Sequence, residues 1–271
     1  MQKHYTSRNY LSMNVAILCV SDNVYLPILE PLVRSLEVNS RIDYNLNIRL
    51  INCDATPGWL TNSQVIHDNV DISTKRNKLI SDGYLLNEGI ILNRKETSVR
   101  TARWLYSDFM AYCVNVKFGD ICRLLSDERN DIVIYLDADT IIRDSLGGLV
   151  DMLHDRDILV RMTASDDKKK ITEPHGVLYH IGMMLINNSE MTRRFYQKLD
   201  DMIKQDDFYN WDTDQIQFSH CVNMSPGIRI GNIPSKYKDE SMSENSIVWC
   251  GASSGKITDD RYISEMTKYR E

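Results

Sequence analysis

Two aspartates, Asp137 and Asp139, are the residues whose type and spacing point most directly to chemistry. They follow the apolar run Asp131–Leu136, whose Val and Ile residues predict a buried β-strand. Ligands of open α/β sheets bind at the edge where such strands end. Paired carboxylates there suit a divalent cation, Mg²⁺ or Mn²⁺, and a diphosphate can complete the coordination. The plain alternative is a solvated turn, since Asp is common where strands end.

The segments before these aspartates alternate between strand-like and helix-like patterns. Asn14–Val20 is a continuous apolar run, and apolar residues within Leu46–Leu50 alternate with polar ones, so both predict strands. Between them, Leu26–Val38 has apolar residues at helical spacing, and Pro27 suits the first turn of a helix. Strand, helix and strand in this order favour a parallel α/β sheet.

The remaining segments continue the alternation of helices and strands. Helical spacing predicts helices over Ser98–Val116, Ser189–Lys204 and Asp212–Cys221, the second of them capped by Ser189. Strands are predicted at Ile158–Met162, Gly176–Asn187 and Ser246–Cys250. Since no repeat and no linker rich in Gly, Pro or Ser divides the chain, we expect one α/β domain over residues 1–271, with a more irregular C-terminal part.

Composition limits the classes of function. The 271 residues carry a formal net charge of −6, whereas nucleic-acid-binding proteins typically have an excess of basic residues. The six cysteines are scattered and form no CxxC pair, which favours reduced core cysteines over structural zinc. No apolar stretch is long enough to span a membrane, and the first 13 residues do not have the pattern of a secretory signal. We therefore expect a cytoplasmic protein without a transmembrane segment.

Four segments resemble one enzyme family in the family's own order. The opening NVAILCVSDNVYLPILEPLVRSL resembles the first strand, loop and helix of the GT-A glycosyltransferases related to glycogenin and to bacterial lipopolysaccharide galactosyl- and glucosyltransferases. IVIYLDADTIIRDSLGGL resembles the metal-binding DxD strand, LYHIGMMLINNSEMTRRF the strand whose glycine lies under the donor sugar, and WDTDQIQF the helix that opens with an Asp-Gln pair. The resemblance implies a GT-A fold, a Rossmann-like mixed sheet flanked by helices.

The resemblance also implies a nucleotide-binding and metal-binding half over residues 14–145. The residues that would contact the donor's base and ribose, usually uridine, are Ser21, Asp22, Asn23 and Tyr25. Charged groups on the helix before the DxD strand would lie against the donor, and these are Arg100, Arg103 and Asp108. At the strand end, Asp139 would bind Mn²⁺ or Mg²⁺, and Asp137 would bind the metal or hold the ribose and sugar, with Ala138 between them.

Residues 146–271 would form the half that holds the sugar and the acceptor. By resemblance, Gly182 would lie under the donor sugar, and Asp214 and Gln215 would lie near the anomeric carbon as the catalytic pair. Lys256 would close over the diphosphate from a C-terminal loop.

Two positions depart from the family pattern. The family's C-terminal loop supplies a metal-binding histidine shortly before its Gly and Lys, and this chain has Val248-Trp249-Cys250 there, which leaves the third protein ligand unassigned. The family has an Asn two residues before the sugar-facing glycine, and this chain has His180 at that position, which indicates an altered sugar pocket.

The expected function is therefore metal-dependent glycosyl transfer from a nucleotide sugar, most simply a UDP-sugar, with retention of configuration by analogy. The acceptor would be a glycan or lipid, and a hydroxymethylated DNA base remains open. Two alternatives also remain open. One is a phosphatase of the haloacid-dehalogenase type, with Asp137 as nucleophile and Lys256 and Asp259-Asp260 as its later motifs. The other is an inactive module that binds nucleotide sugars, suggested by the missing histidine.

Overall fold

The computed structural model describes residues 13–70, 84–87, 90–93, 108–164, 177–205, 213–251 and 259–270. The strands are β1 Val15–Asp22, β2 Tyr44–Ile51, β3 Ser63–Asp68, β4 Tyr84–Asn87, β5 Ile90–Asn93, β6 Ile132–Leu136, β7 Thr140–Ile142, β8 Ile158–Ala164, β9 Val177–Asn187, β10 Ile230–Asn232 and β11 Val248–Cys250. The helices are α1 Leu26–Asn39, α2 Asp108–Asn115, α3 Lys117–Ser126, α4 Gly147–Met152, α5 Glu190–Gln205, α6 Thr213–Asn223 and α7 Asp260–Thr267, with a 3₁₀ turn at Ser235–Tyr237. Within these ranges, no helix is both long and apolar enough to cross a membrane.

Seven strands form one mixed sheet in the order β10-β8-β9-β6-β1-β2-β3. Strands β6, β1, β2 and β3 run parallel to one another, while β9 is antiparallel to both β6 and β8. Because β1 and β6 are parallel, Asp22 and Asp137 come at the same edge of the sheet, where both strands end. A separate pair, β7 and β11, is antiparallel and follows this edge. The predicted mixed α/β sheet is confirmed.

The central strand β6 is buried on both faces. Ile132, Ile134 and Leu136 pack into a cluster with α1, and Val133 and Tyr135 pack on the other face with α3, α5 and α6. Burying each large aliphatic side chain contributes about 1.5–3 kcal/mol relative to exposure. Packing on both faces fixes the position of the strand end, and Asp137 is the residue that follows it.

The loop from β1 into α1 is held by Asp22. Its Oδ1 accepts a hydrogen bond of 2.9 Å from the backbone N–H of Tyr25, and α1 begins at the next residue with Pro27 in its first turn. The helix then buries Leu29 and Leu32 against the sheet, as the apolar spacing predicts. The predicted strand-loop-helix unit is confirmed.

The predicted helix Ser98–Val116 is described only from Asp108 onward, where it forms α2. Val116 keeps helical dihedrals of −61° and −23° and leads directly into α3 at Lys117. A half-buried ion-pair network ties this helix pair to the sheet: Arg49 of β2 binds Asp120 with Nε–Oδ2 at 2.6 Å and Asp68 with Nη1–Oδ2 at 2.8 Å. The hydroxyl of Tyr112 donates to Asp68 at 2.6 Å.

The other predicted elements are found within a few residues of their expected bounds. Helix α5 covers Glu190–Gln205, and Ser189 caps it by accepting a 3.2 Å hydrogen bond from the N–H of Thr192. Cys19, Cys53, Cys221 and Cys250 are buried free thiols, in keeping with the core cysteines predicted from the sequence.

Candidate active site

The turn after β6 is fixed by backbone and side-chain hydrogen bonds. The N–H of Asp137 donates to the carbonyl of Gly182 on β9 at 2.8 Å, and the N–H of Thr140 donates back to the carbonyl of Asp137 at 3.2 Å. The hydroxyl of Tyr135 donates to Asp137 Oδ1 at 2.6 Å. Burial and this acidic neighbour raise the pKa of Tyr135 well above its ordinary value, so the hydroxyl stays protonated as a donor.

Gly182 lies directly beneath the Asp137 carboxylate. A Cβ added to Gly182 would lie 2.1 Å from Asp137 Oδ2 and 3.0 Å from its Cγ. No side chain fits in that space, so the carboxylate can occupy it only above a glycine. The structure thus brings together two residues that the sequence had assigned to the site from separate segments.

Asp139 and Ala138 are almost fully buried, with 8% and 7% of their surface exposed. The carbonyl of Asp139 accepts from the N–H of Gly251 at 2.8 Å and from the hydroxyl of Tyr262 on α7 at 2.7 Å. The C-terminal elements therefore clamp the backbone of the Asp-Ala-Asp turn. Strand β11 contributes to this clamp, because its residues 248–250 pair with residues 140–142 of β7.

Lys238 reaches the same place from the segment beside β11. The N–H of Asp239 donates to the carbonyl of Val248 at 3.1 Å, and the N–H of Cys250 donates to the carbonyl of Asp239 at 3.0 Å, so this segment runs alongside β11. Only 8% of the Lys238 side chain is exposed, and its Nζ is 3.4 Å from the point that a Cβ of Gly182 would occupy. Its ion-pair partner Glu240, 3.6 Å away, is half-exposed.

The acidic surroundings keep Lys238 charged. Burial alone would lower the pKa of Lys238, but nearby groups raise it above its usual value, in the order Cys250, Asp137, Glu240 and Asp139. Cys250 itself is buried, and desolvation raises the pKa of its thiol to about 12, so it is a neutral thiol near pH 7. The negative charge around Lys238 is therefore that of the carboxylates.

These residues do not fit the divalent cation predicted from the sequence. Mn²⁺ and Mg²⁺ favour oxygen ligands, and Cys250, in the segment where the family resemblance calls for a metal-binding histidine, offers sulfur. The buried ammonium group of Lys238 would repel a cation beside Asp137 and Asp139. Among the residues that the structure describes, no group of three or more His, Cys, Asp or Glu side chains is arranged to hold a metal. Metal binding by Asp137 and Asp139 stays a prediction.

Asp214, at the start of α6, is buried and paired with Lys117. Lys117 Nζ lies 2.7 Å from Asp214 Oδ2, and the exposed fractions of the two side chains are 3% and 7%. Asp214 Oδ1 accepts from the N–H of Gln215 at 2.7 Å. Burial raises the pKa of Asp214, Lys117 opposes that shift, and the charge of Asp137 adds to it, so the two aspartates share one electrostatic environment. Lys117 Nζ is also 5.1 Å from the ring centre of Tyr135.

The predicted nucleotide contacts lie at the end of β1. Ser21 is buried and donates to the carbonyl of Asp22 at 3.1 Å, while Asn23 is exposed and Tyr25 is half-buried. Asp22 forms the turn into α1. Burial is the main cause of the raised pKa of Cys53 and of Cys113, and the charge of Asp22 is the second cause in both.

Several predicted positions fall outside the described residues. These are Arg100, Arg103 and Lys256, and the side chain of Asp108 at the start of α2. His180, predicted to alter the sugar pocket, is half-buried on β9, and its Nε2 lies 2.9 Å from Thr163 Oγ1 on β8. This histidine has a hydrogen-bond partner next to the glycine that supports Asp137.

Sequence reasoning missed three residues that the structure brings to the site: Lys117, Tyr135 and Lys238. Tyr135 had a usable signal, because it is the one residue with a polar group in an otherwise aliphatic strand. Lys117 and Lys238 had none, since a single lysine outside any motif is expected to be exposed.

No family model and no curated protein matches the sequence. Solved structures do match. The galactosyltransferase LgtC, in complex with donor and acceptor sugar analogues, has a TM-score of 0.57 at 16% identity, over 94% of this chain and 96% of that chain. The bifunctional glycosyltransferase WbbM has a TM-score of 0.56 at 14% identity, over 94% of this chain and 50% of that chain. GlyE of Streptococcus pneumoniae TIGR4 has a TM-score of 0.53 at 15% identity, over 95% of this chain and 60% of that chain. The chain thus spans half of WbbM, about three fifths of GlyE and nearly all of LgtC. The predicted GT-A fold is confirmed.

Proposed function

We propose that this chain is a glycosyltransferase that moves a sugar from a nucleotide-sugar donor to an acceptor hydroxyl. The observation that carries the proposal is the Asp137 carboxylate above Gly182, at the edge where the parallel strands β1 and β6 end. In open α/β sheets this edge is the usual ligand site. The likeness to solved glycosyltransferases over 94% of the chain supports the same class of reaction.

The donor would bind across the ends of β1 and β6. Ser21, Asp22, Asn23 and Tyr25 would contact the base and ribose, for which uridine is the first choice. Their position supports this role, because they lie at the carboxyl end of β1 or just after it, and β1 is parallel to β6, the strand that precedes Asp137. Arg100, Arg103, Asp108 and Lys256 would add contacts to the donor. Residues 14–145 would thus form the nucleotide half, and residues 146–271 the half for the sugar and acceptor.

The chemistry requires stabilisation of a departing diphosphate. As the bond between the sugar C1 and the diphosphate oxygen breaks, its electron pair stays on that oxygen, and preorganised positive groups lower the barrier. The acceptor oxygen bonds to C1 on the same face, which retains the configuration, and its proton passes to the diphosphate oxygen. Asp214 and Gln215 would orient the sugar. Both oxygens of Asp214 are engaged, which supports a positioning role over that of a base.

A glycan or lipid hydroxyl is the acceptor that we propose. The support for a glycan is indirect: LgtC was solved with an acceptor sugar analogue, and the two chains match over nearly their whole lengths.

Thermal stability in the presence of nucleotide sugars tests the proposal. A donor that binds the folded state raises the melting temperature by mass action. We expect one nucleotide sugar, most simply a UDP-sugar, to raise it in the wild type, and Asp137→Ala with Asp139→Ala to abolish the rise. Asp155→Ala removes an exposed carboxylate and is the control. No rise with any nucleotide sugar, together with hydrolysis of simple phosphate monoesters, would contradict the proposal and favour the phosphatase alternative.

A further inference from the structure

Lys238 is a buried cation that the sequence pattern did not assign. Only 8% of its side chain is exposed, and its segment is hydrogen-bonded to β11, which pairs with β7 directly after the Asp-Ala-Asp turn. Burying an ammonium group is costly unless negative groups compensate for the lost water. Its ion-pair partner Glu240 is itself half-exposed, so the burial of Lys238 at this position indicates a further electrostatic role.

One carboxylate of the predicted metal-binding turn lies close to the ammonium group of Lys238. Asp137 Oδ2 and Lys238 Nζ lie 2.1 Å and 3.4 Å from the same point above Gly182, so the two atoms are near neighbours. The ion pair with Glu240, with Nζ–Oε1 at 3.6 Å, holds the ammonium group at this position. Lys238 therefore already supplies positive charge where a divalent cation would be expected.

The location of Lys238 is set by the backbone. Residues 236 and 239 make hydrogen bonds of 2.7 and 3.1 Å with residues 247 and 248, and β11 pairs with β7 directly after the turn. The Asp239 carboxylate accepts hydrogen bonds from Ser241, Ser243 and Ser246, which fixes the chain just after Lys238. The lysine is thus a preorganised part of the site.

We propose that the ammonium group of Lys238 replaces a divalent cation at Asp137 and Asp139 and binds the diphosphate of the donor, so that nucleotide binding does not require a metal. This inference rests on the proposed function. The chain has Val248-Trp249-Cys250 where the family resemblance calls for a metal-binding histidine, and a sulfur is not a ligand that Mn²⁺ or Mg²⁺ favours, which agrees with the loss of a metal. One ammonium group carries half the charge of Mn²⁺, so the metal-free affinity is moderate.

Titration calorimetry with UDP, GDP, CDP and ADP, each with EDTA and then with Mn²⁺, Mg²⁺ or Zn²⁺, tests the inference. In EDTA the wild type is expected to bind one nucleotide with nearly the affinity that it has with a metal. Lys238→Met is expected to lower that affinity by about tenfold or more, since it removes a buried charge partner. Lys238→Arg retains the charge and should retain most of the affinity. Lys236→Met is the matched control, because Lys236 is exposed two residues earlier.

The outcomes separate the inference from the proposed function. Nucleotide binding by the wild type only in the presence of Mn²⁺, Mg²⁺ or Zn²⁺ would overturn the inference and leave the proposed function intact. Unchanged binding by folded Lys238→Met in EDTA would do the same. If that variant does not fold, the wild-type comparison with and without EDTA still decides. Binding of no nucleotide under any condition would overturn the proposed function and the inference with it.

Discussion

The carboxylate of Asp137 lies over the α-carbon of Gly182, so close that a Cβ on that glycine would meet Asp137 Oδ2 at 2.1 Å. The register of β6 and β9 produces this contact, since Leu136 pairs with Met183 and the N–H of Asp137 donates to the carbonyl of Gly182. Two strands therefore position one carboxylate, and the glycine provides the space that it fills.

Gly182→Ala is expected to displace the Asp137 carboxylate, because a methyl group and an oxygen cannot lie 2.1 Å apart. Donor binding measured by calorimetry should fall by about tenfold or more. Gly58→Ala is the control, since nothing lies within 4 Å of its added Cβ. Equal donor binding by Gly182→Ala and Gly58→Ala would show that this contact does not matter for the site.

Tyr135→Phe removes the donor to Asp137 Oδ1, a hydrogen bond of 2.6 Å. Because hydrogen bonds to charged groups contribute about 1.5–3 kcal/mol, we expect about a tenfold loss of donor affinity with the fold retained. Tyr196→Phe serves as the comparison, as its buried hydroxyl lies 3.6 Å from Met184 Sδ on β9. Equal donor binding by the two variants would show that the hydrogen bond from Tyr135 does not contribute to donor affinity.

Lys117→Met leaves the buried carboxylate of Asp214 without its partner. Loss of one member of a buried ion pair typically costs about 3–5 kcal/mol of unfolding free energy. Burial raises the pKa of Asp214, and without Lys117 it rises further. The folded state then favours the protonated acid, so stability is greatest below the unfolded pKa of about 3.9 and falls as the pH rises above it.

Urea unfolding at pH 5 and pH 8 measures this effect. Lys117→Met should lose more stability than the wild type between these pH values, and adding Asp214→Asn should remove the difference. Arg129→Met, which removes the exposed partner of Asp127, should change little. A pH dependence of Lys117→Met identical to that of the wild type would contradict the buried pair.

Asp239→Asn is expected to loosen the segment that positions Lys238. Hydrogen bonds from Ser241, Ser243 and Ser246 outweigh burial and lower the pKa of Asp239 well below its ordinary value. A depressed pKa stabilises the fold above the unfolded pKa of about 3.9, and this stabilisation is lost as the pH falls towards the folded pKa. The amide variant should cost about 1–3 kcal/mol at pH 7 and less at pH 3.

Urea unfolding of the wild type and Asp239→Asn at both pH values provides the check. Asp155→Asn replaces a carboxylate whose side chain is 70% exposed and should behave like the wild type. If the difference in unfolding free energy between the wild type and Asp239→Asn is the same at pH 7 and pH 3, the lowered pKa of Asp239 is wrong.

The sequence predicted the elements that local patterns determine. Apolar runs located β1 and β6, helical spacing located α1 and α5, and the resemblance joined Asp137 with Gly182, although 45 positions separate them in the printed sequence. These predictions succeed because burial on one or both faces leaves a periodic signal in the chain.

The charged partners of the site could not be predicted in the same way. Lys117 and Asp214 are 97 residues apart, and their contact depends on how α3 and α6 pack on one face of the sheet. Lys238 lies in a segment that is hydrogen-bonded to β11, about ten positions later in the chain. Long-range packing, rather than periodicity, determines these contacts, so a lysine in a polar segment gives no local sign of its burial.

Release of nucleoside diphosphate from a panel of nucleotide sugars, with water or a glycan as acceptor, tests the central claim most directly. The wild type is expected to release the diphosphate from one donor class, and Asp137→Asn with Asp139→Asn is expected to lose that activity while keeping its melting temperature within a few degrees. Equal release by the wild type and a folded double variant would contradict the account. So would the absence of release from every nucleotide sugar by the wild type.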